Sequence, residues 1–395
     1  MTVISYFLVG GIMKKFIVIL ISAICLLPVK SNAEENLLQN AKSGILVEQS
    51  TGEILYEKNK DEQVSIASLT KMVVQIIALE NIENGNLKWD EIVTASSNAA
   101  GMGGTQIWLT AGEKMSVEDL FKGMSMASAN DATVALAERI AGTESAFVKL
   151  MNEKVKELGL KNTVFKNCTG LDEEGHFSSA YDLAVIAREL LKHDEILKYS
   201  SVYEDYIRKD TPNKYWLVNT NKLVRFYEGA DGLKTGFTDA AGYTMAVTAK
   251  RDDLRLIAIV LGENDSKVRN QETTDLLDYG FNTYKIDLIK KKGEVVDKIK
   301  LDKASVDEIN IVTKEDITIL NKKSAASINY DTKITLNDIK LPLQQGSKVG
   351  KIDVIYNGKI IKSSDLVVEE SVKKVNFFKY IYENLKDIVN CTYFN

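Results

Sequence analysis

Short apolar runs, Gly44-Ile45-Leu46-Val47 and Ile54-Leu55-Tyr56, flank the turn-forming stretch Ser50-Thr51-Gly52-Glu53, and this pattern predicts two strands joined by a tight turn. From about residue 68 to 200 the spacing changes to three and four. The runs VEDLFKGMSMA, ATVALAERIAG, FVKLMNEKVKELG and AYDLAVIARELLKH each predict an amphipathic helix. Near residue 230 a period of two returns in GLKTGFT, GYTMAVTAKR and LRLIAIVLG, the last two meeting at Asp252-Asp253 as a second hairpin, before the amphipathic segment QETTDLLDYGFNTY. Strands at both ends with helices between them imply an α+β unit over 34–283, an antiparallel sheet assembled from its termini with a helical lobe beside it. Beyond it, the short alternating runs EVVDKIKL, EINIVT, DITIL, KITL and KIDVIYNGKII predict a small all-β, sandwich-like domain over 284–368.

The ends of the chain read differently. From Met13 the text MKKFIVILISAICLLPVKSNAEE has two lysines, an apolar run from Phe16 to Leu27 and Ser31-Asn32-Ala33 before acidic residues. That is the layout of a secretory signal peptide cleaved after Ala33, with the start at Met13 and an upstream extension before it. The run is shorter than the roughly 20 apolar residues a membrane span needs. At the other end, 369–395 predicts an amphipathic helix with Phe378, Ile381, Tyr382, Leu385, Ile388 and Val389 on one face, flanked by Lys373, Lys374, Lys379 and Lys386. Such a helix can lie in a membrane interface or pack on its own β-domain.

With 395 residues, 45% of them hydrophobic, the chain can bury a large core. Its formal net charge of −5 becomes −8 once the three lysines of 1–33 are removed, which argues against a nucleic-acid partner. Cys25 belongs to the leader, and Cys168 and Cys391 are too few and too far apart for a disulfide framework or a zinc site. Cys168 is expected to be free and buried.

Candidate chemistry begins at Ser65-Ile66-Ala67-Ser68-Leu69-Thr70-Lys71. A serine at i and a lysine at i+3 share a helix face, and a lysine with a lowered pKa can take the serine proton. The pattern alone is weak, since Ser371-Val372-Lys373-Lys374 repeats it and a serine here could equally cap a helix. Ser128-Ala129-Asn130 adds a second element, although Ser96-Ser97-Asn98 and Ser327-Ile328-Asn329 share its form. Lys234-Thr235-Gly236 supplies a third and occurs once. In this order the three form the SxxK, SxN, KTG set of penicillin-binding proteins and class A β-lactamases.

The wider context, IASLTKMV, SANDATVALAERIAG, FVKLMNEKVKELGLKNTVFKNCTGLDEEGHFSSAYDLA and DGLKTGFTDAAGYTMAVTAKR, closely resembles the low-molecular-mass penicillin-binding proteins that are D-alanyl-D-alanine carboxypeptidases. The resemblance is strong over about 36–283 and looser beyond. It implies a β-lactamase/transpeptidase-like fold and a cofactor-free, metal-free serine peptidase at the outer face of the bacterial cytoplasmic membrane or in the cell wall. The implied substrate is a peptidoglycan stem peptide ending in D-Ala-D-Ala, with β-lactams as covalent inhibitors. Ser68 is then the nucleophile and Lys71 its base, helped by repulsion from Lys234, while Ser128 relays a proton and Asn130 holds Lys71 and substrate. Thr235, Gly236, Phe237 and Thr238 are the expected substrate-binding residues, with the Ser68 and Phe237 N–H groups forming an oxyanion hole and Arg269 meeting the terminal carboxylate. Departures from the family pattern are small: Ala129 in the middle of the SxN element and Phe237 after KTG.

Three other readings remain open. A β-lactamase would need a Glu-x-x-Leu-Asn segment before KTG, which is missing. An endopeptidase or transpeptidase would use the same scaffold, and a silent wall-binding protein would not need all five polar site residues. A Ser-His-Asp triad would need His176 or His193, neither placed beside a serine elbow; His176 is expected to be structural.

Overall fold

The computed structural model describes residues 36–301, 304–326 and 328–375. The predicted leader, the start at Met13, Cys25, Cys391 and the tail from 376 onward lie outside the described residues.

Five antiparallel strands form the central sheet, in the order Ile54–Lys58, Ser43–Glu48, Leu254–Glu263, Gly242–Arg251, Ala230–Thr238. Strands from the two ends of this region meet where Ser43–Glu48 pairs with Leu254–Glu263. Both of these strands are buried along almost their whole length, so the sheet is covered on two sides. The period of two decides which residue faces what. Ile45, Val47, Ile257, Ile259 and Leu261 join the core of the helical lobe. Leu46 and Leu256 point the other way, toward Gly280 of helix Ser266–Thr283, where any side chain would collide with them.

Within the lobe, helix Lys71–Glu83 has every residue from Lys71 to Leu79 buried. It is apolar all round because it runs through the lobe, with Val117–Ala127, Asn130–Ala141, Glu144–Glu157 and Ala180–Leu190 packed about it. Caps place several of these helices. Ser116, Thr143 and Ser179 accept backbone N–H bonds at the first turns of Val117–Ala127, Glu144–Glu157 and Ala180–Leu190. The expectation of helices alone between 68 and 200 is corrected in one place: Ile92–Thr94 pairs with Lys114–Ser116 at the edge of the lobe. A further small hairpin, Glu204–Ile207 with Tyr215–Val218, follows before the sheet resumes.

Helix Ser266–Thr283 runs directly into strand Tyr284–Lys290, which pairs with Ile317–Lys322. The remaining strands form a five-stranded sheet in the order Val295–Lys300, Glu308–Thr313, Lys359–Val368, Lys348–Tyr356, Asp331–Leu336. Ile317 shares a core with Ile309, Ile311, Ile352, Val354, Leu366 and Val368, so the two sheets enclose one apolar interior of their own. Among the described residues no helix is long and apolar enough to cross a membrane.

Candidate active site

Ser68 lies in a short 3-10 turn, Ala67–Thr70, that leads into the buried helix Lys71–Glu83. Its hydroxyl caps nothing, so the capping explanation of this serine is not realised. Instead Lys71 Nζ lies 2.9 Å from Ser68 Oγ, 2.7 Å from Asn130 Oδ1 and 2.6 Å from the Thr169 carbonyl oxygen. Lys71 is fully buried, and that desolvation lowers its pKa to about 7. The carbonyl and amide oxygens can only accept. A neutral amine that donates one hydrogen to each keeps its lone pair for the Ser68 hydroxyl.

Asn130 opens helix Asn130–Ala141, and its orientation is set twice, by donating from Nδ2 to the Gly103 carbonyl and accepting from Lys71 at Oδ1. One Nδ2 hydrogen remains for a ligand. Ser128, buried and two residues earlier, has left-handed backbone (φ 64°) where helix Val117–Ala127 ends. The similar Ser96-Ser97-Asn98 falls at a helix start, where Ser96 caps Ala99, and Ser371-Val372-Lys373 lies beside the β-domain, where Val372 bridges to Leu343.

Lys234, Thr235 and Gly236 lie buried on the edge strand Ala230–Thr238. Gly236 passes so near the nucleophile turn that an added Cβ would sit 2.9 Å from Ser68 N and 2.9 Å from Ala67 Cβ. The strand and the Ser68 amide therefore face one shared space, and only glycine allows it. Lys234 Nζ donates to the neighbouring Thr235 carbonyl (2.9 Å). Its pKa is pushed well down, first by burial and then by the charges of Lys71 and Arg269. Burial is the largest cause for both Lys71 and Lys234, and the repulsion between the two amines adds to it.

Arg269 on helix Ser266–Thr283 is buried, with Nε and Nη2 donating to Asn270 Oδ1 and the guanidinium 5.9 Å from the Tyr243 ring centre. Burial lowers its pKa to about 10. Among the described residues no carboxylate forms an ion pair with Lys71, Lys234 or Arg269. The buried basic groups Lys234 and Arg269, without a carboxylate partner, make a place for an anionic ligand whose charge would favour their protonated forms. Phe237 is 53% exposed and stacks on Tyr243, centroids 4.4 Å apart, so its side chain leans outward over the strand. Thr238 is less available than expected, because its hydroxyl already donates to Asp172 (2.6 Å) and accepts from Ala241 N.

Sequence reasoning missed the supports of the nucleophile turn. Ala67 has a positive φ of 48°, and its carbonyl accepts from Thr70 Oγ1 (2.8 Å). Thr70 is in turn 2.8 Å from His176 Nε2, while His176 Nδ1 accepts from Lys166 N. That pattern fixes the neutral tautomer with hydrogen on Nε2, and burial lowers the His176 pKa to about 4. His176 thus braces the turn through Thr70 and does not touch Ser68. Gly170 lies under the same turn, where a Cβ would overlap the Ala67 carbonyl. Cys168, two residues earlier, is free and buried against Glu144.

Comparison with known proteins agrees with this geometry. The sequence profile described as D-alanyl-D-alanine carboxypeptidase matches residues 30–265, and that of the penicillin-binding protein 5 C-terminal domain matches 284–374. The chain is 43% identical over 352 residues to D-alanyl-D-alanine carboxypeptidase DacF of Bacillus subtilis, covering 89% of this chain and 90% of that one. Penicillin-binding protein 5 of Haemophilus influenzae superposes with a TM-score of 0.68 at 31% identity, over 85% of this chain and 98% of its own. Penicillin-binding protein D2 of Listeria monocytogenes, solved in an ampicillin-bound form, superposes with a TM-score of 0.55 at 35% identity over 61% of this chain and 97% of its own. From its nucleophile turn to its C-terminal sheets, the chain belongs to the D-alanyl-D-alanine carboxypeptidase family of serine peptidases.

Proposed function

We propose that the protein removes the terminal D-alanine from peptidoglycan stem peptides through an acyl-enzyme on Ser68. The observation that carries this reading is the environment of Lys71: a buried amine with a pKa near 7, held by two acceptors and aimed at a serine hydroxyl. Neutral Lys71 takes the Ser68 proton as Oγ bonds to the carbonyl carbon of the penultimate residue. The carbonyl oxygen becomes an oxyanion between the N–H groups of Ser68 and Phe237, in the space that Gly236 leaves open. Ser128 passes a proton to the leaving nitrogen, the peptide bond breaks and D-alanine departs. Water then attacks the ester while neutral Lys71 takes its proton, and Lys71 gives that proton to Ser68 Oγ as the acyl bond breaks, which frees the shortened peptide and restores both groups.

Thr235 and the free edge of strand Ala230–Thr238 accept the peptide as an added strand. Arg269 and Lys234 supply the positive field for the terminal carboxylate, which answers their lack of a counter-ion. Thr238 acts there through Asp172 as a shaped support of the strand end. β-Lactams would acylate the same serine. The leader places the enzyme outside the cytoplasmic membrane, and the amphipathic tail would hold it at the membrane surface.

The test is release of D-alanine from a soluble peptide ending in Lys-D-Ala-D-Ala, with residues 34–395 and the Ser68→Ala variant side by side. Release by the wild type alone is expected. Release by both, or by neither, overturns the assignment.

A further inference from the structure

The family reaction accounts for the cleft but not for a group of exposed aromatic rings next to it. Trp108 is 65% exposed and has a positive φ of 59°, a conformation that a bulky side chain seldom takes. The loop that carries it is held firmly. The fully buried Asp131 carboxylate accepts from the backbone N–H groups on both sides of Trp108, those of Ile107 (3.1 Å to each oxygen) and Leu109 (2.9 Å). Asp131 directly follows Asn130, whose own backbone N–H donates to Thr105 (2.7 Å) and whose side chain donates to Gly103 (2.7 Å). The segment from 103 to 109 is therefore anchored to the residue that holds Lys71, and it presents an indole to solvent.

A second element continues this surface. Arg208 Nη1 donates to the Ile107 carbonyl (3.0 Å), and Arg208 Nε to Glu113 (2.7 Å), which ties the Trp108 loop to hairpin Glu204–Ile207/Tyr215–Val218. On this hairpin Ile207 and Leu217 are buried, while Tyr206 and Trp216, direct cross-strand partners, face outward at 39% and 55% exposure. Lys214 Nζ stands 4.1 Å over the Tyr206 ring. Fold stability does not call for outward rings on a hairpin that already buries Ile207 and Leu217 on its other face, and a loop strained to display one points to a ligand.

The chemistry selects among ligands. The exposed charges of the hairpin cancel, Glu204 and Asp210 against Lys209 and Lys214, so the rings sit in no net positive field that would draw an anionic lipid surface. Flat rings edged by polar and charged groups suit an uncharged polyol whose sugar rings carry apolar C–H faces and hydroxyl rims. We propose that Trp108, Tyr206 and Trp216 form a platform for the glycan strand, so that the enzyme favours stem peptides still attached to polymeric glycan over free peptides. This inference rests on the carboxypeptidase reading above and names the form of substrate that reaches its site. Trp108 and Trp216 act as specificity determinants; neither is needed for the chemistry.

The experiment compares D-alanine release from the soluble Lys-D-Ala-D-Ala peptide and from purified polymeric wall material bearing the same stem. It uses the wild type, Trp108→Ala, Trp108→Tyr and Trp216→Ala. Both alanine variants should hydrolyse the soluble peptide within about twofold of wild type, yet lose roughly three- to ten-fold in kcat/KM on the polymer, with Trp108→Tyr restoring most of that loss. A β-1,4-linked N-acetylglucosamine oligomer should quench tryptophan emission of the Ser68→Ala protein, and the quench should weaken on adding Trp108→Ala. Equal losses on both substrates, or none on either, overturn the platform. Binding of anionic vesicles that depends on the same tryptophans, with polymer turnover unchanged, overturns its glycan occupant. A wild type inert on the soluble peptide instead overturns the carboxypeptidase reading itself.

Discussion

Lys71 gains its chemistry from where it is buried. Burial away from water lowers its pKa to about 7, so the neutral base is present above that pH and lost below it, while the Asn130 and Thr169 oxygens hold it in place. Replacing Lys71 with arginine keeps a cation but removes a group able to deprotonate, and acylation should fall at least about a thousandfold, read by intact mass. Gly236→Ala tests the approach of the strand to Ser68: a Cβ 2.9 Å from Ser68 N and 2.6 Å from Thr244 Oγ1 should lower turnover on the order of a hundredfold in protein that still folds, with some fall in melting temperature from the buried clash. Unchanged turnover would mean that the oxyanion lies elsewhere. Arg269→Gln should raise KM for a peptide with a free terminal carboxylate about tenfold or more, with little effect on a carboxamide-ended analogue. Equal effects on the two would remove Arg269 from carboxylate recognition.

Between strand Leu254–Glu263 and helix Ser266–Thr283 two carboxyl groups meet, and the charge of Lys58 only partly offsets their repulsion. Glu272 accepts from Asn40 N and Nδ2 and from Ala41 N, whereas both oxygens of Glu263 are buried with no donor. Burial and the neighbouring Glu272 raise the Glu263 pKa to about 8, and its retained proton serves as the hydrogen bond to Glu272. The unfolded chain releases this proton near the ordinary value of 4.5, so stability should decline as pH rises from there to about 8 and then level off. Glu263→Gln, whose amide donates at every pH, should flatten that decline in a melting series from about pH 5 to 9. A slope identical to wild type would mean that the two groups do not share a proton.

At this same scale some elements were legible in the residues and others were not. The hairpin around Asp252-Asp253 and helix Ala180–Leu190 were readable because a full period of apolar residues marked each, with a turn between the strands of the first. Strand Tyr284–Lys290 was not, since it continues from the preceding helix without a turn residue, and Ile92–Thr94 is too short for alternation to register. The site divides similarly. Side chains that do chemistry leave a residue-type pattern, as Ser68, Lys71 and Asn130 did. The Thr169 carbonyl is main chain and leaves none, and the Thr70–His176 brace joins residues 106 apart in sequence. Gly170, in Cys168-Thr169-Gly170, was the one available signal that backbones approach closely there.

Across the described residues, the apolar interior of the sheet-and-helix region and that of the C-terminal sheets are built from different residues. Polar contacts such as Ser50 Oγ to Thr318 Oγ1 at 3.1 Å join the two regions, and all the site residues belong to the first. A chain ending at 283 should therefore retain D-alanine release from a soluble peptide within a few-fold of the full chain. Loss of that activity in a folded truncated chain would assign the C-terminal sheets a part in shaping the cleft.

The central claim is that burial makes Lys71 the base for Ser68, and the rate of covalent adduct formation with a penicillin as a function of pH tests it most directly. The account predicts one adduct, on Ser68, whose second-order rate rises to a plateau with an apparent pKa near 7. An adduct on another residue, or a rate still climbing with an apparent pKa near the ordinary lysine value of 10.5, would contradict it.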